Sequence, residues 1–565
     1  MSFMTAISHF GRARAATETS IATTDVARMA GGSELGAADP GSREPGLASS
    51  PDYQSAWFDQ PDTATWFPSR NSADASILPA KDMTLARVRD VIRNDPVAGA
   101  ALERLLDMVV GHGLHLVARP DAQALGITAD QAHAVSRQIQ SEWRLFANDP
   151  RHFCDATRKA TMNGLFRLLA RTWLTADECC YALTATDDPL ARYRTAVLPI
   201  DPDRLSNPNG SIETMTLRGG VEMNEMGAPV AYHVRNAHAT DWWAFGLNFT
   251  WTRVPRETEW GRPVFVHAFE PEREGQTRGM SPFASIVRTL SMRHKHASAE
   301  IAAAVANATY AAFVESDLPV DEVTQRLTPQ STSFFDKVVT YFTKNPARIN
   351  GVRIPVMPPG SKITMNGTPR QTTAFVAFET AFLQKIAARL GISYEQMAMD
   401  WTKTNYSSAR AALTEVWRHI RRVVATFNEQ VVSPIYYAFL EESIDTGRVK
   451  LPASAPAFHA MPAAWLRARW IAPGRGYIDP VKEAEAAALR MESLISTLEI
   501  ECAEQGHDYE DILDQIEREN AELAKRKLSR LSIVAAVQAN KGAKPDSEEA
   551  MGPAGPGGDD KEGSK

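Results

Sequence analysis

Glu270, Glu272 and Glu274 alternate with Pro271, Arg273 and Gly275. Carboxylates this close together are raw material for acid–base catalysis. Such work needs a partner held against them. None is visible nearby in the sequence, so solvated surface charge is the reading that fits. His294 and His296 lie two apart in a helical pattern, about 200° from each other around the axis, and so do not share a metal ion. His112 and His115 flank a glycine-rich helix end, where capping or solvation accounts for them. Asp508, Glu510, Asp511 and Asp514 open a helix, where acidic side chains complement the dipole. Pro358-Pro359-Gly360-Ser361-Lys362 ends like a phosphate loop, but the spacing of its glycines is wrong and a tight turn suffices. The sequence therefore offers no catalytic set, no metal set and no cofactor. Lys403 stands apart, in a polar stretch ahead of a long helix. Repeated around a ring, it would form a belt of positive charge.

The totals agree with a non-enzymatic reading. Net charge is −7 and the pI about 6.1, without the basic excess that gripping duplex DNA demands. Hydrophobic residues make up 44% and charged residues 23%, ordinary for soluble globular protein. At 565 residues the chain has room for several cores. The four cysteines, Cys154, Cys179, Cys180 and Cys502, are too few and scattered for a disulfide framework, which fits a reduced intracellular setting. Cys179 and Cys180 are neighbours and point to opposite faces of a strand. The N-terminal apolar run is too short for a signal peptide. The longest uncharged, apolar-leaning run, 301–314, falls short of the ~20 residues of a membrane span. No membrane association is expected.

The elements that must position these residues give an α+β, helix-rich chain. Residues 1–56 read as a disordered arm, followed by a strap whose Trp57, Phe58, Trp66 and Phe67 anchor it to a neighbouring surface. Order is expected to begin near Thr84 as an N-cap, with a break at Asp95-Pro96 and a stop at Gly111 and Gly113. Two amphipathic helices fill 130–175, and short strands follow to about 270, among them a hairpin turning at Asn224 to Gly227. A long helix from Ser281 to about Ser316 has Ser281 as N-cap and Pro282 as first residue. Phe283, Ile286, Leu290, Ile301 and Val305 keep helical spacing there, and Arg288, Arg293 and Lys295 face elsewhere. A segment with few helical signals precedes a helix over 372–390. After the polar stretch, Val416, Ile420, Val423, Val424, Phe427 and Val431 share a face. Pro434 kinks that helix or starts its continuation. Asp479 and Asp508 cap the last helices, and 536–565 reads as a disordered tail.

Six blocks, in order, resemble the portal proteins of tailed bacteriophages of the lambda type. They are Arg87-VRDVIRNDPVAGAALERLLDMVVGHGLHL, Trp143-RLFANDPRHFCDATRKATMNGLFRLLART, the Gly220–Val234 hairpin, the stretch from His267 to Ser281, Asn405-YSSARAALTEVWR and Trp470-IAPGRGYIDPVKEAEA. Asp177-Glu178-Cys179-Cys180 departs from the pattern, standing where the family commonly has a glycine-containing turn.

The resemblance implies a ring, usually of twelve subunits, at one capsid vertex of the virion, assembled in the host cytoplasm. Double-stranded DNA would pass through its channel in packaging and ejection. The implied partners are the terminase large subunit, head-tail connector proteins and the major capsid or scaffold protein. On the family layout, 57–280 is the wing, 281–315 the first stem helix, 316–370 the clip and 371–392 the second stem helix. Residues 393–406 are the tunnel loop, with Lys403, Thr404 and Asn405 lining the DNA channel. Residues 407–450 are a long wing helix and 451–535 the crown. Another capsid-vertex connector or minor head protein is the alternative, and such proteins are generally much shorter. A nuclease or motor subunit would need a metal- or nucleotide-binding cluster.

Overall fold

The computed structural model describes residues 65–309, 348–349, 352–353, 372–402, 404–475 and 479–528. The chain divides into two units, 1–473 and 474–565. In the first unit, helix α1 spans Ala73–Asn94 and α2 Pro96–Val109. Asp95 ends one and caps the other, its carboxylate accepting from the N–H groups of Val97 and Ala98, with Pro96 at the first helical position. Helix α1 begins eleven residues before Thr84, capped by Ser72, and runs through Pro79. Buried polar anchors explain the early start. Asp74 accepts from the backbone and hydroxyl of Thr277 at 2.8 and 3.0 Å, and Arg218 meets it at 3.0 Å. These contacts offset the ~3 kcal/mol that an interior proline costs a helix. Trp66 and Phe67 of the strap are exposed.

Strand β1 (His115–Ala118), α3 (Ala129–Ala147) and α4 (Met162–Ala176) follow. Thr128 and Gln131 form a reciprocal capping box at the start of α3. Trp143 of α3 sits edge-on to Phe439 and Trp470 at 5.0 and 5.3 Å, centring the larger core on aromatic packing. Of the apolar residues in this pair of helices, Leu145 and Leu168 turn outward.

Strand β2 (Glu178–Ala185) lies between β3 (Thr195–Ile200) and β8 (Phe265–Phe269) in an antiparallel sheet. A second sheet runs in order through β4 (Leu217–Arg218), β5 (Val221–Met223), β6 (Pro229–Arg235) and β7 (Trp251–Pro255). The expected hairpin joins β5 to β6, with the Asn224 side chain accepting from the N–H groups of Met226 and Ala228. Period-two alternation makes β2 a wall between cores. Cys179, Tyr181 and Leu183 face the large one, and Cys180 and Ala182 face the small one beneath the second sheet.

Helix α5 spans Val287–Thr309. Ser281 does not cap it directly. The Ser281 hydroxyl accepts from Phe283 N–H and donates to the Thr175 carbonyl, and two tight turns lead into the helix. Phe283, Ile286 and Leu290 are buried, whereas Ile301 and Val305 are exposed. Arg293 faces inward, pairing with Asp95 and with Glu379 of α6 (Thr372–Leu390), each at 2.6 Å. His296 stacks on Phe375, their planes 9° apart. Helix α7 (Tyr394–Ala398) then precedes α8 (Tyr406–Phe427). A π-helical turn over Asn428–Val432 leads into α9 (Ser433–Asp445). Pro434 has no N–H to continue the α ladder, and the ladder widens just ahead of it. Strand β11 (Ala468–Ile471) returns to pair with β1. Val416, Ile420, Val423, Phe427 and Val431 are buried as the pattern requires, and Val424 packs half-buried against them.

In the second unit, Asp479 caps α10 (Pro480–Glu492), Thr497 caps α11 (Leu498–Glu504) and Asp508 caps α12 (Tyr509–Lys525). The sequence pattern suggested one helix to about Gln505. The chain breaks it at Leu494, whose φ is +57°, and Arg490 clamps the two pieces through Glu501 at 2.6 and 2.9 Å. The arm 1–56, the tail 536–565 and the turn at Pro358 to Lys362 lie outside the described residues.

Candidate functional site

The stretch from His267 to Ser281 connects the sheets to α5, and its chemistry is that of a lock. Arg278 is buried and uses all five guanidinium N–H groups. Nε and Nη2 donate to the two oxygens of Glu178 at 2.9 and 2.7 Å. Nη1 donates to the carbonyls of Leu205 and Gly219, and Nη2 also to that of Pro202. One side chain thereby ties β2, the segment after β3 and the β4–β5 turn to the stretch that leads into α5. Lys81 of α1 adds an ion pair to Glu178 at 2.8 Å and donates to the Gly279 carbonyl at 2.7 Å. His267 meets the same carboxylate at 3.1 Å. Burial opposes charge on Glu178, yet Arg278 and Lys81 hold its carboxyl well below the usual carboxylate range. Burial lowers the His267 imidazole, favouring its neutral form. A Cβ on Gly279 would lie 2.3 Å from the Asp177 carbonyl oxygen, so the close approach of the two segments requires glycine.

The alternating glutamates are not simply solvated, as their sequence context suggested. Glu270 pairs with Arg422 of α8, and Glu272 approaches Arg389 of α6 at 3.6 Å. Partners 117 and more residues away were invisible to a local reading. These groups rim a cavity of about 280 Å³ that also touches Asp177 and His419. Burial, then the nearby Glu270, Glu178 and Glu272, pushes the Asp177 carboxyl up to about 8. Burial and Arg422 lower the His419 imidazole. Among the described residues no cluster of three His, Cys, Asp or Glu has metal-holding geometry.

Thr404 and Asn405 sit together just before α8. Asn405 is the N-cap of that helix, accepting from Ser408 N–H at 2.9 Å, and the Thr404 hydroxyl lies 3.5 Å from Glu395. Lys403 lies outside the described residues. The polar stretch is more ordered than a loop: Ser393 and Gln396 form a capping box on α7, and Asp400 holds Thr402 through its hydroxyl at 2.6 Å. Burial raises all four thiols, Cys154 to about 12, which suppresses the reactive thiolate.

Sequence reading missed Lys81 and Asp74. The signal was there: both fall on the same stripe of α1 as Leu85 and Val88, so continuing the helical period backwards finds them.

Glu178, Glu270 and Glu272 each tie one element to another through Arg278 and Lys81, Arg422 and Arg389, an arrangement in keeping with a structural protein. Residues 59–423 match the phage portal proteins of the lambda family. The chain belongs to that family. It is 33% identical over 471 residues to the portal protein of Escherichia phage N15, and 32% identical over 470 residues to portal protein B of Escherichia phage lambda. Each alignment covers 81% of this chain and 87% of the relative. A probable portal protein of Halomonas phage phiHAP-1 is 23% identical over 83% of this chain and 85% of its own. Among solved structures, a chain from the neck of an empty gene transfer agent particle aligns at 13% identity with a TM-score of 0.41, covering 75% of this chain and 94% of that one. No helix among the described residues is long and apolar enough to cross a membrane.

Proposed function

We propose that twelve copies of this chain form a ring at one capsid vertex, through whose channel double-stranded DNA is packaged and ejected. The observation that carries the reading is family membership over most of the chain. The structure adds support. Helices α5 and α6 pack against each other through Arg293–Glu379 and His296–Phe375, as two stem helices would, with 316–370 between them as the clip. The wing is then 57–280 with the long helix 407–450, the crown 451–535, and the tunnel loop 393–406 with Lys403, Thr404 and Asn405 at the DNA. The terminase large subunit and later the head-tail connectors would dock at the clip, and the capsid or scaffold protein around the wing. A net charge of −7 multiplied around the ring favours passage of DNA over its retention on the wall. Negative-stain electron microscopy of the purified chain tests this: twelvefold rings with a central hole are expected, and a field of monomers would overturn the assignment.

A further inference from the structure

We propose that the loop between β6 and β7 is the knob of a head-to-tail contact between copies of this chain, seated in a groove at the far end of the same strand pair on its neighbour. The proposal rests on the portal reading for the existence of a ring. The residues come from the structure.

The loop displays aromatics in the open. Trp242 is 84% exposed, Trp243 58%, Phe245 98% and Phe249 73%. At about 150–250 Å² per ring, they present on the order of 600 Å² of apolar surface. That reaches the largest patch a typical monomer tolerates, roughly 300–600 Å², and approaches the ~800 Å² per partner of a standard interface. The loop is also shaped. Ala244 N–H bonds Asp241, Phe249 N–H bonds Gly246, and the Trp242 and Trp243 rings sit edge-on at 5.7 Å. Phe245 is held at φ +48°, a conformation that bulky residues rarely adopt. A loop with no task would relax that strain and turn its rings inward.

The groove has matching chemistry. It is an open recess of about 420 Å³ between Pro263, Pro434, Tyr437, Ala463 and Leu466, wide enough to receive an aromatic ring from outside. Asp121, Glu429, Ser433, Tyr436 and Arg467 complete its lining; Asp121 is held by Arg467 and by the Ala124 N–H, so Glu429 supplies the carboxylate acceptor. An indole N–H, a donor with no acceptor of its own, is the complement to such oxygens.

Topology sets the direction. The loop leaves the pair at Arg235 and Trp251, whereas Pro263 bridges Glu257, just past the other end at Ala231 and Pro255. Five strand positions place on the order of 15 Å between knob and groove. A projection and a recess at separate places on one chain repeat head-to-tail, the type of contact from which a cyclic ring is built when its rotation closes.

The test uses full-length chain, with assembly read by mass photometry and cross-links by mass spectrometry. The double variant W242S/F245S and the groove variant A463R should each give about tenfold less ring than wild type, with unchanged circular dichroism. Mixed, they should form dimers, because one keeps its groove and the other its loop. A photo-cross-linking residue at position 245 of otherwise wild-type chain should attach to 434–437 or 463–466 of another copy. Rings of wild-type size from W242S/F245S, including rings that then fail only to join a capsid, overturn the contact and leave the portal reading standing. Cross-links landing elsewhere also overturn it. A wild-type chain that forms no rings overturns both.

Discussion

Arg278 and Glu178, a hundred residues apart, meet through two parallel hydrogen bonds of 2.9 and 2.7 Å, and the connection from the sheets to α5 is built around that pair. Removing the carboxylate charge leaves Arg278 and Lys81 buried without compensation. Glu178→Gln should cost about 3–5 kcal/mol of stability. Arg278→Lys keeps the charge but not the five-donor fork, and should lose about 2 kcal/mol or more. Urea denaturation midpoints measure both; a wild-type midpoint for Glu178→Gln would show that the cluster holds nothing.

The Asp177 carboxyl gives the stability a pH dependence. Its ordinary value is 3.8 and its folded value about 8, so between the two the folded chain retains a proton that the unfolded chain has lost. Its stabilising contribution is complete below pH 3.8 and is lost as pH rises through 8. Asp177→Asn, which tolerates the observed φ of +60°, should match wild type in acid and gain in melting temperature relative to it towards pH 9. Thermal melts between pH 5 and 9 check this; parallel curves would refute it.

Tyr181 reaches from β2 to the π-helical turn, its hydroxyl donating to the Val431 carbonyl at 2.6 Å. Tyr181→Phe keeps the packing and leaves that carbonyl unsatisfied. A loss of about 1–2 kcal/mol is expected, together with hydrogen exchange over 428–432 that speeds up relative to wild type more than exchange in α8 does.

In the segment before α8, capping is separable from the proposed DNA contact. Asn405→Ala should loosen the start of α8 at a cost of about 1 kcal/mol, whereas Asn405→Asp keeps the cap. Lys403→Ala should leave ring assembly intact and alter DNA packaging or retention in a packaging assay. Loss of rings with Lys403→Ala would make that residue structural.

Local signals carried the reading of the chain far, and they failed where distance decided the outcome. Asp95-Pro96, Asn224 to Gly227, Asp479 and Asp508 cap or turn as their chemistry demands. The start of α1 was hidden because Pro79 argues for a strap, while the groups that stabilise the helix, Thr277 and Arg218, come from elsewhere in the chain. Glu270 and Arg293 were assigned to solvent for the same reason. The partners of Arg278 were not legible, since Glu178, Pro202, Leu205 and Gly219 converge on it only after folding.

The alternation of β2 has one more consequence. Cys179 and Cys180 are covalent neighbours with buried thiols in different cores. Opening the helical core uncovers one sulfur, and lifting the outer sheet uncovers the other. The chain thus carries a built-in pair of reporters, resolvable by fragmenting a single labelled peptide, for which layer yields first when the protein is put under load.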